Sequence, residues 1–398
     1  MLSDESARVV RATIPAVTTR GADITARFYD TMLAGRPELL NLFNRGNQAN
    51  GEQRRALAAS VVAYAEHLIG DSQTSFQPVL DRIANKHVSL GVRPDQYTIV
   101  GRYLLGAVAE VLGEAVTPEV AAAWDEVYWL FATQLVAAEA RMYQRAGVDP
   151  TVPWQPWKVL DKIHEAHDVI SLVLQPADGA RLPEFLPGQY LTVAVELPDG
   201  TRQPRQYTIS HGPGRDDIRL TVRRQRGTGG APDGEVSSYL HDQVRPGDTL
   251  DLSAPAGDVT LPEGPDPLVL VSAGVGITPV AAMLDHIGST EPERPVIVAH
   301  ADRSPATHAL RGQIEAGGSR LSSFEQFLWY EEHAATPALR GLLDPAVIPV
   351  PDKSKVFMCG PLVFMRDVRS NLLRRGVAAG DITYEVFGPD LWTAATGA

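Results

Sequence analysis

Cysteine is almost absent from this chain. Its 398 residues include a single cysteine, Cys359, so no disulfide can form within the chain. A lone thiol is typical of proteins in a reducing compartment, and we expect a cytoplasmic location. Asp4 and Glu5 precede any apolar run at the N-terminus, which argues against a secretory signal peptide.

The sequence also lacks an excess of positive charge and a long apolar run. A formal net charge of −12 argues against nucleic acid or an anionic membrane surface as the main partner. The longest uncharged stretch, 268–284, contains two glycines and a proline and is too short to span a bilayer, so no stable membrane insertion is expected. With 44% hydrophobic and 21% charged residues, the composition is that of a globular protein of two or three domains.

Proline is scarce in the first part of the chain only. Residues 1–150 hold six of the 30 prolines, and proline is poorly tolerated inside helices. The first part can therefore be all-helical. Apolar residues at helical spacing between Ile24 and Leu68 predict amphipathic helices, and further helices are predicted over 76–88, 94–112 and 118–145. A helical domain of this size can enclose one large cofactor.

From Trp157 onward the pattern changes to short runs with a period of two. These runs predict a small antiparallel barrel with strands at 159–164, 169–175, 190–197, 203–210, 218–223 and 249–254. After residue 267, strands alternate with helices, which indicates a parallel, doubly wound sheet. The predicted strands are 268–272, 296–300, 326–330, 356–359 and 383–387, with helices at 279–286, 305–316 and 362–375.

A short extended run carries residue types that suit a flavin dinucleotide. In a strand, Arg205 and Tyr207 point one way and Thr208 points the other. A cation can bind the pyrophosphate, an aromatic ring can lie on the flavin, and a hydroxyl can reach a ring nitrogen. The alternative is an edge strand with an exposed arginine. Val236 and Ser237 lie at a capped helix start whose amides could hold a second phosphate, although such starts often have no ligand.

Glycines follow the first strand of the alternating region. Gly274–Pro279 would let a phosphate approach the backbone, with Thr278 capping the next helix and Pro279 in its first turn. No third glycine completes the dinucleotide fingerprint, so a plain turn is the alternative. Cys359–Pro361 ends a later strand, where ligands bind in open sheets. A buried thiol beside a turn is the alternative there.

His87 lies near the end of a predicted helix. A single helical histidine is more often structural than a haem ligand. Tyr29, Phe43 and Gln53 would each pass as ordinary core or surface residues when taken alone.

Taken together, these motifs resemble the flavohaemoglobins over essentially the whole chain. The globin-like motifs are Phe28-Tyr29-Asp30, Pro37–Leu39, Phe43-Asn44, Asn47-Gln48, Gln53-Arg54, Lys86-His87 and Pro94–Tyr97. The motifs similar to ferredoxin reductases are Pro187–Tyr190, Arg205–Thr208, Gly274–Pro279, Cys359–Pro361 and Glu385–Pro389. The resemblance implies an all-α globin domain at 1–147, an antiparallel β-barrel FAD domain at 153–264 and an α/β doubly wound NAD(P)-binding domain at 265–398.

The resemblance also implies roles around a haem. His87 would be the metal ligand, with Tyr97 and Glu139 in a hydrogen-bonded relay behind it. Tyr29 and Gln53 would act on the distal side. Phe43 would pack on the porphyrin, Leu57 would restrict the distal space, and Lys86 would tune the redox potential of the haem.

For the other two cofactors the resemblance implies three sets of residues. FAD would be held by Tyr190, Arg205, Gln206, Tyr207 and Thr208, with Val236 and Ser237 at the helix start. The nicotinamide dinucleotide would be held by Gly274, Val275, Gly276, Ile277, Thr278, Pro279, Cys359, Gly360 and Pro361. The C-terminal motif is Glu385, Val386, Phe387, Gly388 and Pro389, in which Phe387 would cover the flavin and Glu385 would tune its potential. Two residues depart from the family: Thr208 replaces the usual serine, and Ile277 replaces a common glutamine.

The implied function is that of a nitric oxide dioxygenase, a cytoplasmic monomer that uses haem b, FAD and NAD(P)H to convert NO and O2 to nitrate. One alternative is a haem reductase that acts on hydroperoxides, or on NO without oxygen. Another is a gas-binding sensor globin, although both downstream domains look catalytic. Arg303 could meet the 2′-phosphate of NADPH or be an ordinary surface residue, so the choice between NADH and NADPH stays open.

Overall fold

Two compact units divide the chain. The computed structural model describes residues 2–42, 52–70, 75–227, 232–332 and 337–387, and for 41, 42 and 52–56 it describes the backbone alone. Among the described residues, one unit holds those up to Trp154 together with Glu196–Arg205, and the other holds Gln155–Val195 and those from 206 to 387. The first unit therefore contains the predicted helical region, and the second contains most of the predicted strands.

Helices build the first unit. In the part of the chain that the structure describes, they are α1 (Asp4–Thr19), α2 (Gly21–Gly35), α3 (Glu52–Leu68), α4 (Gln77–Leu90), α5 (Gln96–Leu112) and α6 (Pro118–Ala146). The helices predicted over 76–88, 94–112 and 118–145 are confirmed, with ends that differ by at most two residues. None of the described helices is both long and apolar enough to cross a membrane.

Local sequence signals set the helix ends. The Thr117 hydroxyl accepts a hydrogen bond of 3.4 Å from the first turn of α6, in which Pro118 is the first residue. Gly147 follows the last residue of α6 and Gly91 follows that of α4, with φ values of +66° and +68° that favour glycine. A Cβ on Gly91 would lie 2.6 Å from Nε1 of Trp154, so space also requires glycine at the end of α4.

Aromatic side chains fill the core between these helices. Phe28 on α2, Tyr64 on α3 and Trp124 on α6 are each at most 3% exposed. Tyr64 stacks on Phe131 of α6 with a ring-centroid distance of 4.6 Å. Because complete burial of a large apolar side chain contributes about 1.5–3 kcal/mol relative to exposure, these rings hold α2, α3 and α6 together.

The first sheet is antiparallel, as the period-two runs predict. Its strands are β1 (Gln155–Ala166), β2 (Val169–Pro176), β3 (Tyr190–Glu196), β4 (Arg202–Thr208), β5 (Ile218–Arg223) and β6 (Thr249–Leu252), in the order β4-β3-β6-β1-β2-β5. A bridge between Ile209 and Leu220 joins the chain just after β4 to β5, at the opposite end of this order. The sheet therefore closes on itself, as a small barrel does. Helix α7 (Glu235–Asp242) lies between β5 and β6 in the chain.

The second sheet is parallel. Its strands are β7 (Leu268–Ala273), β8 (Val296–Asp302), β9 (Phe324–Tyr330), β10 (Leu339–Arg340), β11 (Lys355–Cys359) and β12 (Ile382–Glu385), in the order β10-β9-β8-β7-β11-β12. Helices α8 (Ile277–Thr290), α9 (Arg311–Gly318) and α10 (Leu362–Arg374) connect strands of this sheet. The strand order reverses between β7 and β11, and ligands of such sheets bind at the carboxyl ends of the strands at this point.

One predicted helix is wrong at its start. The prediction was 305–316, whereas α9 begins at Arg311, after Leu310 with a left-handed φ of +58°. The hydroxyl of Thr307 donates a hydrogen bond of 2.6 Å to the Asp302 carboxylate at the end of β8. This bond holds the preceding segment as turns, and a local helical pattern cannot anticipate it.

Two buried histidines lie against these turns. His300 Nδ1 is 2.9 Å from the hydroxyl of Ser272, and the ring centroids of His300 and His308 are 4.2 Å apart. His308 Nδ1 is 2.7 Å from the hydroxyl of Tyr330. Burial, and next the neighbouring His300, lowers the pKa of His308 to about 3. The His308 ring is therefore neutral in the folded protein at neutral pH.

Acid should destabilise the protein through His308. The ordinary histidine pKa of 6.5 falls to about 3 on folding, so the unfolded chain binds the proton first as the pH falls. The stability that this group contributes is complete above pH 6.5 and is lost toward pH 3, with about 2 kcal/mol already lost at pH 5. The free energy of unfolding can be measured with urea at about pH 7.5 and pH 5. Between these two pH values it should fall by roughly 2 kcal/mol less in His308→Asn than in the parent. The exposed His164 provides the control, because His164→Asn should lose as much stability as the parent. An equal loss of unfolding free energy in the parent and both variants would show that His308 is not the source of the acid sensitivity.

Candidate functional site

Three helices bring His87, Tyr97 and Glu139 together. His87 Nδ1 on α4 lies 2.7 Å from the hydroxyl of Tyr97 on α5 and 2.9 Å from Oε1 of Glu139 on α6. The Tyr97 hydroxyl donates to the same carboxylate oxygen at 2.5 Å. The side chains of Glu139 and His87 are 3% and 29% exposed, so the carboxylate is sealed in the core while the imidazole reaches its edge.

The hydrogen bonds determine which imidazole nitrogen is available. Burial, and next the charge of Glu139, raises the pKa of Tyr97 far above its ordinary value, so the phenol keeps its proton. A carboxylate can only accept, so the proton on the imidazole lies at Nδ1 and is shared between its two neighbours. The other nitrogen, Nε2, keeps its lone pair for a ligand.

This arrangement fits a histidine that would hold a haem iron. Histidine ligands usually donate their second N–H to a carboxylate, which fixes the ring and makes the ligating nitrogen more basic. Oε2 of Glu139 is buried with no hydrogen-bond partner among the described residues, so the carboxylate interacts there with His87 and Tyr97 through Oε1. Its negative charge therefore acts on the imidazole as well as on the phenol, which suits an electron-rich iron.

The predicted distal residues lie on two other helices. Tyr29 on α2 is 7% exposed and packs edge-on against Phe28 with centroids 4.8 Å apart. Leu57 on α3 is half-buried, and Lys86, next to His87, is exposed. Phe43 and the side chain of Gln53 lie outside the described residues.

Strand β4 and its neighbour carry the predicted flavin residues. Arg205, Gln206 and Tyr207 are half-buried, while Thr208 is 6% exposed. Nη1 of Arg205 donates to the carbonyl of Pro204 at 2.7 Å. Tyr190 on β3, the strand beside β4, is also half-buried. Because Arg205 and Tyr207 are only half-buried, part of the β4 surface is accessible to solvent, which suits a flat, charged ligand.

The predicted helix start at 234–237 is present, but no side chain caps it. α7 follows Gly234 without a side-chain hydrogen bond to its first turn. The Ser237 hydroxyl instead donates to the Gly234 carbonyl and accepts from the Gln225 amide, both at 3.0 Å. Val236 is 1% exposed. The first-turn amides are therefore available to a phosphate group.

Three glycines, Gly274, Gly276 and Gly360, form a cradle where β7 and β11 end. A Cβ on Gly276 would lie 2.3 Å from the carbonyl oxygen of Cys359, and one on Gly360 would lie 3.1 Å from Cβ of Ala273. Gly274 has a φ of +55°, in the region that favours glycine. Ser272 and Cys359 are partners in the parallel ladder, so both glycine turns open at the same edge. This cradle fits the close approach of a dinucleotide backbone.

Thr278 does not cap α8, contrary to the prediction. α8 begins at Ile277 after a 3-10 turn at Gly274–Gly276, and its first turn has no side-chain cap. The Thr278 hydroxyl donates to the Val275 carbonyl at 3.1 Å because the residue lies inside the helix. Pro279 is in the first turn, as predicted. The uncapped amides leave the N-terminus of α8 available to an anion.

The C-terminal motif is described in part. β12 ends at Glu385, which pairs with Cys359 in the ladder, and Val386 and Phe387 follow it. Phe387 is 48% exposed. Gly388 and Pro389 lie outside the described residues. Pro361 caps α10 directly after the glycine of the cradle.

Comparison with known proteins identifies the family. The family models Globin, Oxidoreductase FAD-binding domain and Oxidoreductase NAD-binding domain match residues 26–135, 156–261 and 270–370. A flavohemoprotein of Bordetella parapertussis is 40% identical over 405 residues, covering 98% of this chain and 99% of its own. A flavohemoprotein of Bacillus subtilis is 36% identical over 404 residues, covering 98% of each. The chain belongs to the flavohemoprotein family.

Solved structures agree with this membership. A flavohemoglobin of Malassezia yamatoensis, solved with bound FAD and heme, superposes with a TM-score of 0.86 at 35% identity and covers 97% of this flavohemoprotein and 100% of itself. The FAD/NAD-binding domain of a nitric oxide dioxygenase from Vibrio cholerae matches with a TM-score of 0.56 at 35% identity, covering 59% of this chain and 99% of its own. The flavohemoprotein is thus an oxidoreductase whose modules take haem, FAD and a nicotinamide dinucleotide.

No sequence pattern predicted that Tyr128 and Gly101 belong to this site. Tyr128 on α6 donates its hydroxyl to the carbonyl of Tyr97 at 2.5 Å and so fixes the backbone of the relay tyrosine. A Cβ on Gly101 would lie 2.4 Å from the Tyr128 ring, so a glycine on α5 makes room for it. Neither residue belongs to a short motif, because the contact joins positions 31 residues apart.

Proposed function

We propose that this flavohemoprotein is a nitric oxide dioxygenase, which converts NO and O2 to nitrate with electrons from NAD(P)H. The observation that carries the proposal is the relay of Tyr97 and Glu139 behind Nδ1 of His87. When bound, the haem would supply an iron able to activate O2 for reaction with NO, and FAD would supply a carrier for electrons from NAD(P)H. A globin that only stores oxygen has no need of two reductase modules or of so electron-rich a ligand.

The proximal residues would orient the imidazole and increase its electron donation to the iron. Glu139 holds the Nδ1 proton of His87, and Tyr97 keeps the carboxylate oriented through its own proton. On the distal side, the hydroxyl of Tyr29 would donate a hydrogen bond where negative charge develops on oxygen. Gln53 would assist it, and Phe43 and Leu57 would restrict the space around the haem.

The reductase residues would bind and orient the other two cofactors. Arg205 would pair with the FAD pyrophosphate, while Tyr207 and Tyr190 would lie on its rings. The Thr208 hydroxyl would serve where serine is usual. The remaining assignments are Gln206, Val236 and Ser237 to FAD, Phe387 to the open face of the flavin, and Gly274–Pro279 with Cys359–Pro361 to the dinucleotide. Lys86 and Glu385 would set the potentials of haem and flavin through their charges.

We assign three domains to the enzyme, at 1–147, 153–264 and 265–398. The three family models fall within these limits. We place the enzyme in the cytoplasm, where NAD(P)H is supplied, and expect it to act as a monomer. A single chain already carries a module for each of the three cofactors, so the electron path needs no second subunit.

Tyr29→Phe tests the proposed distal role. The substitution removes a hydrogen bond to a charged group, which is worth about 1.5–3 kcal/mol. The dissociation rate constant of O2 should therefore rise by about 10- to 100-fold, and the yield of nitrate per NO consumed should fall. Stopped-flow O2 displacement by CO and nitrate analysis in air measure the two effects.

A second tyrosine of the helical unit provides the control. Tyr103→Phe removes a hydroxyl from a half-buried side chain of α5 that is not assigned to the haem site, and should change neither quantity. The alternative reductase activities are separated by repeating the assay under argon with NO, and with a hydroperoxide in place of NO. NO consumption that needs no O2 and yields no nitrate would refute the dioxygenase.

A further inference from the structure

One carboxylate joins a loop of the antiparallel sheet to a helix of the parallel sheet. Asp285 lies on α8 with its side chain 17% exposed. Its Oδ2 accepts a hydrogen bond of 2.9 Å from the amide of Gly212, in the loop between β4 and β5. Nη2 of Arg215 in the same loop donates to both carboxylate oxygens, at 2.9 and 3.1 Å. The loop and α8 belong to the same compact unit, so the contact is internal to that unit.

A second arginine binds the same carboxylate. Arg320, which follows α9, donates from Nη2 to Oδ1 of Asp285 at 2.6 Å and to its backbone carbonyl at 3.2 Å. A Cβ on Gly288 would lie 3.0 Å from Nε of Arg320, so a glycine on α8 makes room for the arginine. Burial acts to raise the pKa of Asp285, but the hydrogen bonds from Arg320, Arg215 and the Gly212 amide lower it to about 2. The group is therefore ionised at neutral pH.

The loop also packs directly on the backbone of α8. Gly212 is buried, and a Cβ on it would lie 3.0 Å from the amide nitrogen and 3.1 Å from Cα of His286. Two backbone segments approach this closely only where a side chain is missing. Apolar packing supports the contact, since Ala166 of β1 and Val169 of β2 belong to one buried cluster with Ile277 of α8. The contact therefore depends on a glycine on one side and on a carboxylate on the other.

The two sides of this contact lead to the two proposed cofactor sites. Gly212 comes four positions after the proposed flavin residue Thr208, with a ladder bridge at the residue between β4 and the loop. Asp285 lies about 12 Å along α8 from Ile277, the first residue of the helix, at the proposed dinucleotide cradle. A helix behaves as a rigid element over this distance. A shift of α8 at Asp285 would therefore also move the cradle relative to the flavin strand.

We propose that Asp285 is a positioning residue for hydride transfer from NAD(P)H to FAD. In this step a hydride leaves C4 of the dihydronicotinamide and bonds to N5 of the flavin, so that NAD(P)H is oxidised to NAD(P)⁺ and FAD is reduced to FADH⁻. The rate depends steeply on alignment, because a misplacement of about 1 Å can cost on the order of 100-fold. Asp285 acts through the loop and the helix that it joins. The proposal rests on the cofactor sites of the proposed function, and it does not depend on the reaction at the haem.

Asp285→Asn is the principal test, because it keeps the shape of the side chain and removes its charge. Anaerobic stopped-flow absorbance of the full-length holoprotein measures the limiting rate constant of FAD reduction at saturating NADH, and the NADH concentration that gives half of it. The limiting rate constant should fall by at least about tenfold, because alignment is lost. The half-saturating concentration should change by less than about threefold, because the glycines of the cradle are unaltered. The FAD content should match the parent.

Gly212→Ala disturbs the same contact from the other side, which covers the case that Asp285→Asn fails to fold. Its Cβ would meet the backbone of His286, so the loop and α8 must separate. The limiting rate constant should again fall by at least about tenfold. The matched control is Asp367→Asn, the same change as the first at an exposed position of α10, and it should reduce FAD as the parent does.

Hydrogen–deuterium exchange gives a readout that does not use the reaction. The amide of residue 212 donates to Asp285, and its neighbour Pro213 has no amide, so peptides covering 209–217 resolve this bond well. A neutral acceptor binds an amide more weakly than a carboxylate does. Exchange at residue 212 should therefore be at least about threefold faster in Asp285→Asn and Gly212→Ala than in the parent, and unchanged in Asp367→Asn.

Two results would overturn the inference. One is a limiting rate constant equal to that of the parent in folded Asp285→Asn and Gly212→Ala, whatever the exchange shows, since the contact would then be structural only. The other is slow FAD reduction with unchanged exchange at residue 212, since the effect would then not pass through the loop.

Nitrate analysis of the parent separates this inference from the proposed function. If FAD reduction slows in the variants as expected and the parent forms no nitrate from NO, the dioxygenase fails and the positioning role stands. If the parent forms nitrate and the variants reduce FAD at its rate, the positioning role fails and the dioxygenase stands.

Discussion

Purified His87→Ala protein is expected to contain FAD and almost no haem. Nε2 of His87 is the nitrogen that the relay leaves available for iron, since Nδ1 is shared between Tyr97 and Glu139. Loss of a partner behind a metal-bound histidine already weakens metal binding about 10- to 100-fold. Loss of the ligand itself should weaken haem binding by more than about 100-fold, and the Soret band should nearly vanish.

The substitution also removes one of the two hydrogen bonds that the Glu139 carboxylate accepts, so that only the one from the Tyr97 hydroxyl remains. Glu139 is buried and would face a void instead of an imidazole. Because loss of a hydrogen bond to a buried charged group is destabilising, the melting temperature of the protein should fall along with the haem content. External imidazole, which can occupy the void, should restore part of both. Stability that imidazole restores without any return of the Soret band would mean that His87 is structural.

His67→Ala is the matched control for this experiment. His67 is an exposed histidine on α3 with its ring 5.9 Å from that of Phe76. It takes no part in the relay, so haem and FAD contents should match the parent. A normal Soret band in His87→Ala, or equal haem loss in both variants, would contradict the ligand assignment.

Gly276→Ala is expected to slow the reduction of the flavin by NAD(P)H. The new Cβ would lie 2.3 Å from the Cys359 carbonyl and 3.0 Å from the Gly360 amide, both of them backbone atoms that cannot rotate away. The cradle must open to accommodate it, and overpacking of this kind costs about 1–3 kcal/mol. The strain falls where the dinucleotide would approach the backbone.

Reduction of FAD should therefore slow by at least about tenfold at subsaturating NADH, equivalent to about 1.4 kcal/mol. Anaerobic stopped-flow absorbance of the flavin measures the rate, and dithionite should still reduce FAD and haem normally. Gly312→Ala on α9 is the control, because a Cβ there meets nothing within 4 Å. If the two alanine variants reduce FAD equally fast, the cradle does not bind the nicotinamide dinucleotide.

Short-range patterns predicted most of the fold. Period-two runs are read within a single strand, and all six strands of the antiparallel sheet were found in this way. The glycine turn after β7 was equally visible, because its chemistry lies within six residues. The predicted flavin strand was 203–210, and β4 at Arg202–Thr208 is close to it.

Interactions between distant positions account for the rest. The helix predicted from 305 starts late because, in addition to the local bond between Thr307 and Asp302, His308 bonds to Tyr330, which lies 22 residues further on in another strand. Tyr128 contacts the relay across 31 residues, and Glu139 contacts His87 across 52. Periodicity contains no information on such pairs, so Glu139 was reached only through the family resemblance and Tyr128 was missed.

The single thiol has a consequence for the protein's chemical durability. Cys359 is 0% exposed, and burial raises its pKa well above the ordinary value, so it persists as a neutral thiol. S-nitrosation and oxidation to sulfenic acid both favour an accessible thiolate. The proposed substrates, NO and O2, are sources of reagents for these modifications, and burial protects the one thiol of this chain from both.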